Sequence, residues 1–131
     1  MYIGVSEIGL PEELLIRLTD DEGTGSVNQQ RAEAAIAGAQ AVVDSMLARR
    51  YEVPFTEAPA AAKKLTADLA ANNLYARVGS VPEYLEKARE EAMALLEAIA
   101  SGKAAIVTVG NELPGFSGSG REFSREYMAG F

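Results

Sequence analysis

The stretch NQQRAEAAIAGAQAVVDSMLARR, residues 28–50, decides the fold. Within it Ala35, Ile36, Ala39, Val42, Val43, Met46 and Leu47 recur at three- and four-residue spacing, the period of one helix face. Asn28 is placed as the N-cap, because its side-chain oxygen can accept an N–H that the first turn leaves orphaned. Arg49, Arg50 and Tyr51 finish the helix, with both cations at its negative end. The many alanines imply that a neighbouring helix approaches closely.

Similar signals flank this segment. A short helix is expected over Pro11 to Leu18, where Pro11 suits a first-turn position and Glu12 and Glu13 favour a helix N-terminus. Leu14, Leu15 and Leu18 give it one apolar side. Asp20 to Ser26 breaks the pattern with acids and two glycines. On the other side, Glu52 to Pro59 reads as an irregular connection. A third helix then spans Ala60 to Val78 on Leu65, Leu69, Leu74 and Tyr75, and Gly79 stops it. Ser80 can cap a fourth helix over Pro82 to Ala100, whose seam is Leu85, Ala88, Ala92, Leu95, Leu96 and Ile99. The fold class is therefore mainly α: a small four-helix bundle over residues 1–101.

Residues 102–131 change character. Ala104 to Val109 is apolar on both faces and β-branched, which predicts a short strand needing a partner edge. A glycine–serine tether follows, and then Phe123, Tyr127, Met128 and Phe131. Glycine-rich chain loses much entropy on ordering, and aromatic side chains contribute only when buried. Spacing by four puts Phe123, Tyr127 and Phe131 on one side of a short helix. Such an arm can cover its own bundle, but the tether favours a landing site on another subunit. Burying three aromatics contributes ~5–8 kcal/mol gross, and ordering the arm removes much of it. Ile106, Val107, Val109, Phe116, Phe123, Tyr127, Met128 and Phe131 are thus the candidate residues for contact with a subunit or partner.

Composition excludes several classes. At 131 residues the chain makes one domain, 48% apolar and 24% charged. It has no cysteine and no histidine, so it lacks a disulfide framework, a thiolate nucleophile and the usual general base. Acid pairs such as Glu90-Glu91 do not face each other on a helix, and nothing beside them suggests a shifted pKa. No enzymatic activity and no cofactor are expected. The start of the chain has neither a basic nor an apolar leader region, so no signal peptide is expected. No apolar run approaches the ~20 residues of a membrane span, and no membrane partner is expected. The net charge is −7, and residues 1–27 hold six acids against one base. Gripping nucleic acid by counterion release needs clustered Lys and Arg instead. Glu12, Glu13, Asp20, Asp21 and Glu22 form a candidate acidic surface.

Asp20 to Asn28 also has the outline of a calcium loop, with Asp20, Glu22 and Thr24 at the first, third and fifth positions and Gly25 at the sixth. The twelfth position, which should supply a bidentate Glu, is Arg31. A cation there opposes calcium, and the helix-linking acidic turn is the preferred reading. A calcium-responsive helical binding module, with Asp20, Glu22 and Thr24 as its metal site, is the alternative function.

Three segments together carry a family resemblance. Leu18 to Val27, Ala48-Arg49-Arg50-Tyr51-Glu52-Val53-Pro54-Phe55, and Phe123 to Phe131 resemble the small Mu-like phage and prophage neck proteins. The opening Met1-Tyr2 and the helix order fit as well. Family members often have a more calcium-like acidic turn, from which this chain departs at Glu22, Thr24 and Arg31. The resemblance implies a virion protein of the head–tail connector class, assembled in the bacterial host cytoplasm and located in the neck. It implies a homo-oligomeric ring whose partners are the portal and the tail or tail-terminator proteins. DNA would pass through it without sequence-specific binding. An acidic lining would repel phosphate within about 8 Å at physiological salt. The same acids could equally face a basic partner.

Overall fold

The computed structural model describes residues 1–106. Its longest helix, α2 (Gln29–Leu47), follows Asn28, whose side chain accepts the Arg31 N–H at 3.0 Å. Ala32, Ile36, Ala39, Val43 and Leu47 have no solvent exposure, so one continuous face is buried. Val42, expected on that face, is 38% exposed, because it lies about 100° around the helix from Val43. The helix stops at Leu47, and Ala48 to Arg50 form a turn. Arg49 then pairs with Glu97 at 3.2 Å.

Three further helices complete the bundle among the described residues: α1 (Glu12–Thr19), α3 (Ala60–Arg77) and α4 (Glu83–Ala100). α2 and α3 form the centre of the bundle, and each packs against the other three helices. The buried set of α3 is correspondingly broad, including Ala62, Leu65, Leu69, Ala70, Ala71 and Leu74. α4 buries Leu85, Ala92, Leu96 and Ile99, while Leu95 turns outward and is 42% exposed. Ser80 does not cap α4; Pro82 occupies the N-cap and brings no side-chain hydrogen bond. Gly79 and Gly102, at φ +87 and +90, adopt the left-handed conformation that ends a helix at low cost.

The segments outside the helices are also packed. Tyr2, Ile3 and Ile8 join the core from the N-terminal segment, around a 3-10 turn at Val5–Glu7. Tyr51 and Phe55 join it from the connection between α2 and α3, in which the Val53–Pro54 peptide is cis.

The described residues contain no extended strand, only a one-residue bridge at Tyr51. Ala104 to Ile106, the start of the expected strand, are not in one. The packed body nevertheless reaches Ile106, whose side chain is 5% exposed within the core. Val107, Val109 and the tether and arm, including Phe116, Phe123, Tyr127, Met128 and Phe131, lie outside the described residues.

Candidate functional site: the acidic turn and the root of the C-terminal segment

The acidic turn sits where α1 ends and α2 begins, and its carboxylates are engaged within the chain. Asp20 accepts the N–H groups of Thr24 at 2.8 Å and Gly25 at 2.7 Å, and the Thr24 hydroxyl at 2.9 Å. These donors, Gly25 first, hold its carboxyl below the usual aspartate range. Asp21 accepts two hydrogen bonds from the Arg77 guanidinium, at 2.6 and 3.3 Å, and lies 3.5 Å from Arg31. The Arg77 contact is the main reason its pKa falls. Glu22 takes a bidentate contact from Arg31 at 2.6 and 2.8 Å, which lowers its pKa and raises that of Arg31.

Both arginines also close the end of α1. Arg77 donates to the Leu18 carbonyl at 2.8 Å, and Arg31 to the Thr19 carbonyl at 2.9 Å. A helix C-terminus leaves carbonyls unpaired and partially negative, so cations placed there satisfy acceptors and oppose the dipole. Thr19, fully buried, fastens the same corner: its hydroxyl donates to the Leu15 carbonyl at 2.7 Å and accepts the Asn28 N–H at 3.0 Å.

This geometry changes what the predicted acidic residues present to solvent. Asp21 and Glu22 pair with Arg31 and Arg77, and Asp20 with Thr24 and Gly25, so the three carboxylates and two guanidiniums sum to a formal charge of −1 rather than −3. Glu12 and Glu13, in the first turn of α1, are exposed and have no ion-pair partner among the described residues. For calcium, Asp20 and Glu22 would each have to surrender the donors that now hold them. The described residues contain no group of three or more acidic side chains arranged to hold a metal ion.

The second cluster lies at the other end of α2. The phenol of Tyr2 bonds Asp44 and accepts the Phe55 N–H at 3.1 Å, while the Tyr2 N–H donates to Gln40 at 2.8 Å. Burial, and then the contact with Asp44, push the Tyr2 pKa up to about 12. The Phe55 ring packs between those of Tyr2 and Tyr51, with centroids 5.9 and 6.0 Å away. Arg50, 6% exposed, lies over the Tyr51 ring at 5.1 Å. It donates to the Ile99 carbonyl at 3.2 Å and the Ala104 carbonyl at 2.5 Å. The Tyr51 hydroxyl accepts the Ile106 N–H at 3.2 Å. Thus Ile106, predicted as a partner contact, packs against its own chain.

Sequence reasoning missed Tyr2, Thr19 and Arg77 as members of these clusters. The partners of Tyr2 and Arg77 lie 38–59 positions away, and no local period announces them. Arg31, out of place for calcium, was the one readable clue to the ionic corner.

No helix among the described residues is long and apolar enough to cross a membrane. A family profile described as "Bacteriophage Mu, Gp36" matches residues 7–120, spanning α1 to α4 and reaching into the glycine–serine tether. No curated protein matches the chain.

Proposed function

The chain belongs to the bacteriophage Mu Gp36 family, a phage protein family, and from that premise we propose that it is a structural component of the virion neck. In this reading it is a non-enzymatic head–tail connector, assembled as a ring between the portal and the tail or tail-terminator proteins. The family match over most of the chain carries the proposal. The helical fold supports it: the core of the described body is filled by the chain's own side chains.

The C-terminal residues supply the repeated contact. A ring is built by one head-to-tail interface repeated by rotation, and a segment reaching to the next subunit makes such an interface. Each arm would bind weakly after its ordering cost, and closure of the ring makes the set strong. Phe123, Tyr127, Met128 and Phe131 are the proposed contacting side chains. DNA passes without being gripped because the chain carries −7 overall. Glu12 and Glu13 are better placed for that role than the arginine-paired Asp21 and Glu22.

The test is deletion of residues 115–131. The truncated protein should retain its helical circular dichroism and cooperative melting but fail to enter particles in a complementation assay. Normal incorporation of the truncated protein would refute the arm as the assembly contact.

A further inference from the structure

We infer that Arg50 and Tyr51 are positioning residues that clamp the root of the C-terminal segment, residues 104–106, in one register on the bundle. α4 ends at Ala100, and the left-handed Gly102 turns the chain back on the helix. The N–H groups of Lys103 and Ala104 then meet the Ala98 carbonyl at 2.8 and 3.1 Å. Beyond that turn, helix geometry no longer dictates the path. Side chains from the connection after α2 take over: Arg50 binds the Ala104 carbonyl and Tyr51 binds the Ile106 N–H.

Two features make this a clamp rather than incidental packing. The first is register. Ala105 is exposed and Ile106 buried, so a slip of one residue would expose the isoleucine and carry its N–H away from the Tyr51 hydroxyl. An apolar core alone would hold the Ile106 side chain without fixing its backbone; the two polar contacts do fix it. The second is preorganisation. The Tyr51 ring packs against Phe55 at a 54° tilt and lies under the Arg50 guanidinium, and the Phe55 N–H is held by the Tyr2 phenol, which is itself bonded to α2 at Asp44. The clamp is therefore braced before the root reaches it. This gives the Arg50–Phe55 portion of the Ala48–Phe55 motif a physical task that the bundle core does not require.

The clamp stands on the described contacts. Its consequence for assembly, that the arm starts from a fixed point on every subunit, rests on the connector reading above. Hydrogen–deuterium exchange on the full chain separates the two. Tyr51→Phe keeps the ring and removes the acceptor, so the Ile106 amide should exchange about fivefold faster, the effect of losing one ordinary hydrogen bond. Amides in the middle of α2 and α3 should keep their rates. Arg50→Lys, which keeps the charge but not the planar fork, should also loosen residues 104–106, and Tyr84→Phe, at an exposed tyrosine, should not. An unchanged Ile106 rate in Tyr51→Phe would overturn the clamp. So would an equal acceleration of Ile106 and the core amides, which would mark global opening. Deletion of 115–131 decides the arm reading independently. If that deletion blocks assembly and Tyr51→Phe loosens the root, Tyr51→Phe should also lower incorporation into particles several-fold. Wild-type incorporation in that case would overturn the clamp's role in aiming the arm.

Discussion

Three arginines among the described residues work as readers of carbonyls. Arg31, Arg50 and Arg77 each reach from one segment to acceptors at the end of another: Thr19, Ile99 and Leu18 respectively. The planar guanidinium can serve a carbonyl and a carboxylate together, which a lysine ammonium does less well. Tyr2 has a comparable role with a hydroxyl. Tyr2→Phe removes the bond to Asp44 and leaves the buried Phe55 N–H without its acceptor, so it should cost about 1–3 kcal/mol in urea unfolding. The raised phenol pKa also gives a pH dependence of definite sign. The native state keeps the Tyr2 proton where the unfolded chain, near pH 10, has begun to lose it. The stabilisation is complete below pH 10 and disappears as the pH rises toward about 12. The alkaline decline should be shallower in Tyr2→Phe; an identical decline would mean that another group is responsible.

The helices were legible in the sequence because their determinants are local. The spacing of Ile36, Val43 and Leu47, the cap at Asn28 and the stop at Gly79 each act within a turn or two, and the structure has all of them. Val42 and Leu95 were misassigned because a run of adjacent apolar residues does not say where the buried arc ends. The connections were illegible for another reason. Glu52 to Pro59 reads as irregular, and it is, yet Phe55 is held by Tyr2 across 53 positions. Nor did the acidic turn reveal how far its charge is cancelled, since Arg77 arrives from 56 positions away. At this scale Ile36→Ala should cost about 2–5 kcal/mol because it opens a cavity at a fully buried site. Asn28→Ala should cost only about 1 kcal/mol as a lost cap. The acidic turn should behave as an acid-labile lock. Asp20, Asp21 and Glu22 all have depressed pKa values, so their contribution is present above the ordinary carboxylate range and is lost as pH falls through their native values. The protection of the Thr24 and Gly25 amides, relative to their intrinsic exchange rates at each pH, should fall on acidification before that of the core amides. Simultaneous loss of protection would show that the turn has no separate stability.

For the whole molecule, the described residues form the helical body, and the proposed assembly contacts belong to the terminal segment that follows it. Through Ile106 the body packs an apolar core from its own side chains, leaving Met1, Val42, Val78, Tyr84 and Leu95 exposed. The truncation at residue 115 should therefore melt within a few degrees of the full chain by calorimetry. A large drop would mean that the arm belongs to the chain's own fold.

The two ends of α2 are secured by unlike chemistry, which makes the molecule separable by reagent. At its start, Arg31 meets exposed carboxylates, and at its finish Asp44 meets a buried phenol. Molar potassium chloride should fray the first end while sparing the second, and strong alkali should do the reverse. Site-resolved NMR in the two solvents would show one helix unfastened from opposite ends, and the order in which the bundle comes apart would be the experimenter's choice.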